Sequence, residues 1–349
     1  MQEPILLQAC RRQPTPQTPV WLMRQAGRYM PEYRALREKV PFLTLCKTPE
    51  LAAQVTVEAV ERLGVDAAII FADILLIVEP MGVGLEFSQG DGPVIHRPVR
   101  SGADVDRLSE RPPLETVPFV FEAVRKARVH LPAHIPLIGF SGAPFTVASY
   151  LIEGGSSRHY LETKRLMYQD PGAWRALMER LVRVIAAYLN GQIAAGAQVV
   201  QLFDSWVGCL SPTDYRTFIL PHMAALMQSI TPGTPIIHFG TDTAGLLELM
   251  AEAGGDVIGV DWRIDLALAW RRIGENRAVQ GNLDPVALFA PPAELRRQVE
   301  RILQAVAGRP GHIFNLGHGI LPQTPVENVV GLVEMVHEIS EELRMKTEK

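Results

Sequence analysis

Cysteine is scarce: Cys10, Cys46 and Cys209 are odd in number, far apart, and lack the paired spacing of a disulfide framework or a zinc site. A reducing compartment fits that usage, so a cytoplasmic location is expected. Long apolar runs are missing too. No stretch approaches the roughly 20 residues of a membrane span, and residues 1–19 mix Gln, Arg and Pro around one short apolar patch at 5–7, with no signal-peptide core. There is no excess charge of either sign. Thirty-four Lys and Arg against 38 Asp and Glu leave a net charge of −4, which gives no overall field to hold nucleic acid or an anionic membrane. Any recognition of anions must therefore be local. Linker-like, low-complexity and tandem-repeat segments are also absent, so one domain over residues 1–349 is expected.

A chain 47% apolar can bury a large core, and its pattern says what kind. Eight short β-branched and apolar runs, at 19–24, 67–73, 136–142, 199–205, 235–240, 257–262, 278–284 and 312–319, each precede a stretch with helical apolar spacing. Several lack alternation, as expected of parallel strands covered on both faces. Thr48-Pro49, Asp170-Pro171, Ser211-Pro212, Asp284-Pro285 and Thr324-Pro325 each place a capping side chain before a proline at a helix start. Thr324 to Glu327 has capping-box form, and Val326, Val329, Val330, Val333 and Val336 extend it as a C-terminal helix that should close the fold. The pattern predicts an α/β fold, a single (β/α)8 TIM barrel whose cleft lies at the C-terminal ends of the strands. The segment 82–115 is too long for a plain loop and is expected to make an excursion over the mouth.

Chemistry collects after the runs. The first ends in Arg24-Gln25-Ala26-Gly27-Arg28-Tyr29, two guanidinium groups on a glycine-bearing turn with no adjacent acid. They are either a solvated pair or a seat for an anion, and the strand-end position favours the anion. Asp73 is a single carboxylate in an apolar stretch, where it needs a partner; it either caps backbone or meets a ligand. Tyr150 follows the third run as a core aromatic or a hydroxyl donor. Ser205 ends the fourth, with Asp204 beside it to orient it. His238 ends the fifth, and His318 sits between glycines at the end of the eighth. No Gly-x-x-x-x-Gly-Lys-Ser/Thr and no helix-opening Gly-x-Gly-x-x-Gly occurs, so nucleotide binding lacks support. No lysine ends any run, which weakens a Schiff-base reading. The remaining set suits a small polyanionic molecule with an NH-bearing centre.

These residues sit in longer blocks that resemble the uroporphyrinogen decarboxylase family over essentially the whole chain. The blocks are Pro19-Val20-Trp21-Leu22-Met23-Arg24-Gln25-Ala26-Gly27-Arg28-Tyr29, Gly139-Phe140-Ser141-Gly142-Ala143-Pro144-Phe145-Thr146, Phe71-Ala72-Asp73-Ile74, His238-Phe239-Gly240, Gly281-Asn282-Leu283-Asp284-Pro285 and Asn315-Leu316-Gly317-His318-Gly319. The resemblance implies a homodimeric barrel that converts uroporphyrinogen III to coproporphyrinogen III by removing four acetate carboxylates, with no metal and no cofactor. It also implies roles. Arg24, Arg28 and Arg37 face substrate carboxylates, with Gln25, Ala26 and Gly27 in the same binding turn. Asp73 faces the pyrrole NH groups as the catalytic carboxylate, and Tyr150, Ser205 and His318 complete the cleft.

Two alternatives are weighed against that reading. A zinc-dependent corrinoid methyltransferase of the related barrel family uses a His-x-Cys pair and a later Cys; here Gly240 stands two residues after His238, and no cysteine follows Cys209. A non-catalytic tetrapyrrole carrier would have no need of Asp73 at the ring centre.

Overall fold

A computed structural model describes residues 3–88, 92–306 and 308–347. Among the described residues nine strands form: β1 Ala68–Ile69, β2 Leu85–Ser88, β3 Gly92–Ile95, β4 Leu137–Gly142, β5 Val199–Asp204, β6 Ile236–Gly240, β7 Val257–Gly259, β8 Ala278–Gln280 and β9 His312–Ile313. Seven make one parallel sheet in the order β1-β4-β5-β6-β7-β8-β9, so each strand after β4 joins the edge left by its predecessor. The register advances steadily, with Ile138 opposite Val199, Val200 opposite Ile236, and Val257 opposite Ala278. Helices between the strands bury the outer face. β4 is buried at every residue, in keeping with its lack of alternation.

The sheet is curved, and a buried polar contact shows it. Gln280 Nε2 on β8 donates to Gln201 Oε1 on β5 at 3.1 Å, and Trp21 Nε1 donates to Gln280 Oε1 at 2.9 Å. In a flat sheet with a strand spacing of about 4.8 Å, side chains three strands apart could not touch.

Seven of the eight expected strands are present, each shorter than its apolar run. The run at 19–24 appears only as a single parallel bridge from Val20 to Phe314, with Asp66 N donating to the Val20 carbonyl at 2.8 Å. Its backbone donors are taken by side chains. Pro19 has none, while Val20 N, Leu22 N and Met23 N go to Asp66 Oδ2, Gln25 Oε1 and Asn315 Oδ1. Only Trp21 N is left for the Phe314 carbonyl, so no ladder forms.

The capping expectations divide. Asp170 and Ser211 accept from the N–H groups of Ala173 and Asp214, and Asp284 accepts from Val286 N at a short 3-10 turn. The expected cap at Thr48 is corrected: its hydroxyl turns back to the Thr44 carbonyl of the preceding helix at 2.7 Å. The expected capping box at Thr324 is corrected as well, since the Thr324 hydroxyl is buried without a partner and the last helix begins at Val326. That helix, Val326–Thr347, packs on the helices Pro49–Leu63 and Pro292–Ala305, joining early and late parts of the chain.

The long excursion contains the antiparallel hairpin β2–β3. It docks through Ile95 N on the Gly154 carbonyl and through Phe87 on Phe42, with ring centroids 4.9 Å apart. Among the described residues, no helix is long and apolar enough to cross a membrane.

Candidate active site

Beyond the C-terminal strand ends, Arg24, Asp73, Tyr150 and His318 lie within one another's electrostatic reach. Arg24 sits at φ +62°, a left-handed turn that ends the Val20 segment, and its exposed side chain has no ion pair or hydrogen bond among the described residues. The exposed Arg28 side chain is likewise unpaired. Other Arg side chains are tied to carboxylates, as in Arg272 with Glu248 and Arg297 with Glu294. Arg37 donates to the Val40 carbonyl, lies over the Phe42 ring at 5.6 Å, and hydrogen bonds Tyr33.

Asp73 follows β1 in a turn where its Oδ1 accepts Leu75 N at 2.8 Å, so the backbone-capping reading holds for one oxygen. Its surface is partly open, yet enough protein surrounds it for loss of solvation to push its carboxyl up to about 6. The Leu75 N–H and the Arg24 charge oppose that rise only in part. Tyr150, on the helix Pro144–Glu153, is pushed up to about 12 by burial and by the nearby Asp73, against the pull of Arg24. Asp73, Arg24 and Tyr150 thus share one field. His318 belongs to it as well. Burial, then the charges of Arg24 and Arg263, lower it to about 4, and its Nδ1 accepts Gly319 N at 2.6 Å. Above pH 5 the ring is therefore neutral with its proton on Nε2, a fixed donor.

Ser205 follows β5, its carbonyl held by the Thr241 hydroxyl, and the next residue, Trp206, stacks on Tyr150 with centroids 3.8 Å apart. Two expectations from sequence need correcting. Asp204 does not orient Ser205; it is fully buried and accepts the Thr146 hydroxyl at 3.0 Å. The Gln25 side chain is not in the cleft, because its amide is consumed by Leu22 N and the Ala67 carbonyl. Ala26 and Gly27 remain half-buried on the turn between the two free arginines. His238 is wholly buried, its Nε2 lying 3.7 Å from Asp204 Oδ2.

The strand-end reading overlooked Arg263. Its Nε meets Asp242 at 2.8 Å, its Nη1 meets the buried Asp261 at 2.5 Å, and it lies over Trp262. The signal was present, since Asp261-Trp262 ends the sixth run and Arg263 follows it directly. Two carboxylates hold this arginine, so it is a structural cation beside His318 rather than a free one.

The fold is that of an α/β protein with a curved parallel sheet, and Arg24, Asp73, Tyr150 and His318 gather beyond the carboxyl ends of its strands. The chain belongs to the uroporphyrinogen decarboxylase family: residues 1–339 match the family model described as Uroporphyrinogen decarboxylase (URO-D). It is similar to proteins named uroporphyrinogen decarboxylase from Carboxydothermus hydrogenoformans, at 57% identity with 96% of each chain covered, and from Chloroflexus aurantiacus, at 58% with 95% of this chain and 94% of that one covered. A third, from Sorangium cellulosum, is 57% identical over 95% of each chain. A solved methyltransferase from Methanosarcina mazei superposes with a TM-score of 0.81 at 21% identity, covering 97% of this chain and 99% of that one, a likeness of fold alone.

Proposed function

We propose that this chain removes the four acetate carboxyl groups of uroporphyrinogen III, giving coproporphyrinogen III and CO2, with no metal or cofactor and with Asp73 as the catalytic carboxylate. Belonging to the decarboxylase family supports the reaction. The observation that carries the site reading is the unpartnered Arg24 beside the single carboxylate of Asp73, with the exposed Arg28 further along the same turn.

The substrate supplies its own electron sink. Protonating a pyrrole α-carbon makes that ring cationic; the carboxylate C–C bond then breaks, CO2 leaves, and its electron pair neutralises the ring as an exocyclic methylene. A second proton on that carbon gives the methyl group, and loss of the first proton from the α-carbon restores the neutral pyrrole. The protein has to hold anions, stabilise a cationic ring and limit water. In this reading Arg24, Arg28 and Arg37 hold peripheral carboxylates. The free oxygen of Asp73 accepts pyrrole N–H bonds and stabilises the ring cation. Tyr150, Ser205 and neutral His318 donate to further carboxylate oxygens. Arginine is a poor proton donor because its pKa exceeds about 12, so the proton comes from water or a substrate carboxyl.

Three further readings accompany this one. The bridge at Val20 is the eighth strand of a closed (β/α)8 barrel forming one domain. The partner is the small-molecule substrate, with no nucleic acid and no membrane. The active species is a cytoplasmic homodimer. Incubating the protein anaerobically with uroporphyrinogen III and separating products by carboxyl count tests the central reading. Stepwise conversion to the four-carboxylate product is expected, and unchanged substrate would overturn it.

A further inference from the structure

We propose that Thr146 and Asp204 are positioning residues, a buried brace that aims Tyr150 into the cleft through Trp206. This rests on the assignment of Tyr150 to the substrate site. Tyr150 needs something to aim it, because its hydroxyl has no hydrogen bond within the protein among the described residues and its ring is only half-buried. What fixes the ring is the stack on Trp206, with centroids 3.8 Å apart and planes inclined by 30°.

Trp206 belongs to the loop after β5, whereas Tyr150 rides on the helix Pro144–Glu153. Thr146 joins the two. It lies one helical turn before Tyr150, so both project from the same side of that helix. Its hydroxyl donates to Asp204 Oδ1 at 3.0 Å and accepts Trp206 N at 3.2 Å. Thr146 and Asp204 are both completely buried, so water cannot take over either bond. Only a hydroxyl of this size can donate and accept at once in that space. The brace thus sits beneath the half-buried pair it controls. Tyr160 adds to the same assembly, its ring 5.3 Å from Trp206. Loss of the brace lets the strand-end loop slide against the helix, and the first consequence is a misplaced Tyr150.

A double-mutant cycle on the full chain tests this, using kcat/KM for uroporphyrinogen. Thr146→Val should lower kcat/KM on the order of tenfold when Tyr150 is present. It should lower it less than about twofold in a Tyr150→Phe background, and Thr146→Ser, which keeps both bonds, should restore near-normal kinetics. If Thr146→Val does not fold, Trp206→Leu replaces it in the same cycle, with the same non-additivity expected. Equal losses in both backgrounds, or a lowered melting temperature with unchanged kcat/KM, would overturn the brace while leaving the site reading intact. An unaffected kcat/KM in Tyr150→Phe alone would remove Tyr150 from the site, and the brace with it.

Discussion

The Arg24 side chain crosses Gly319 so closely that a β-carbon there would lie 2.4 Å from Arg24 Cδ and 2.7 Å from Cγ. The bare glycine leaves room for the free Arg24 side chain to pass. Gly319→Ala should therefore push Arg24 aside. The clash is with a flexible side chain, so the fold should tolerate it. A melting temperature close to that of the parent is expected, with KM raised on the order of tenfold and kcat less affected. Equal loss of kcat and stability would show that Gly319 serves the backbone instead.

Arg28→Ala should weaken substrate use by about 1.5 kcal/mol, roughly tenfold in kcat/KM, the low end for a bond to a charged group because this side chain is exposed before binding. Arg28→Lys should recover part of that loss, since a lysine keeps the charge but not the fork. Steady-state kinetics on both variants checks it; parent-like values in each would make Arg28 a solvated surface residue.

His318 carries a pH signature. Its folded value lies near 4 against an ordinary 6.5, so between those limits the unfolded chain takes up a proton that the folded chain refuses. Its contribution to stability is complete above pH 6.5 and is lost as the pH falls towards 4. His312, buried with one ring nitrogen 2.9 Å from the Gly281 carbonyl, is lowered to the same region and acts in the same direction. In His318→Gln the fall of melting temperature between pH 6.5 and 4 should be shallower than in the parent. Parallel curves would contradict the buried, neutral imidazole.

Much of this arrangement was readable before any coordinates. Seven strands fall within their apolar runs because burial on both faces demands continuous apolar residues. The first strand misled because its donors at Val20, Leu22 and Met23 are claimed by Asp66, Gln25 and Asn315, two of which lie far along the chain. Strand ends pointed to Arg24, Asp73, Tyr150, Ser205 and His318, and the fold brings the first three and His318 within electrostatic reach of one another. Gln25 shares the arginine turn in sequence, but its amide turns inward, and residue spacing in an irregular turn does not reveal side-chain direction. Thr146 was hidden for a related reason: its partners, Asp204 and Trp206, are nearly 60 residues away.

Activity should persist in a strong chelator, because the substrate's protonated pyrrole accepts the electrons a metal or cofactor would otherwise take. Product analysis with and without chelator checks this; activity recovered only on adding a metal ion would refute a cofactor-independent route.

In the proposed mechanism the Asp73 charge carries most of the catalysis. Its raised folded value means that the folded chain binds a proton between about pH 3.8 and 6 that the unfolded chain does not, so ionised Asp73 costs stability above pH 6. Asp73→Asn keeps an acceptor for Leu75 N and removes that cost. It should melt at or above the parent temperature at pH 7.5, with the gap narrowing as the pH falls from 6 towards 4. Its kcat for uroporphyrinogen decarboxylation at pH 7.5 is the deciding measurement. A loss on the order of 100-fold to 1,000-fold in a fully folded variant is expected for a preorganised charge facing a cationic ring; a near-normal kcat with a lowered melting temperature would make Asp73 a structural cap and contradict the mechanism.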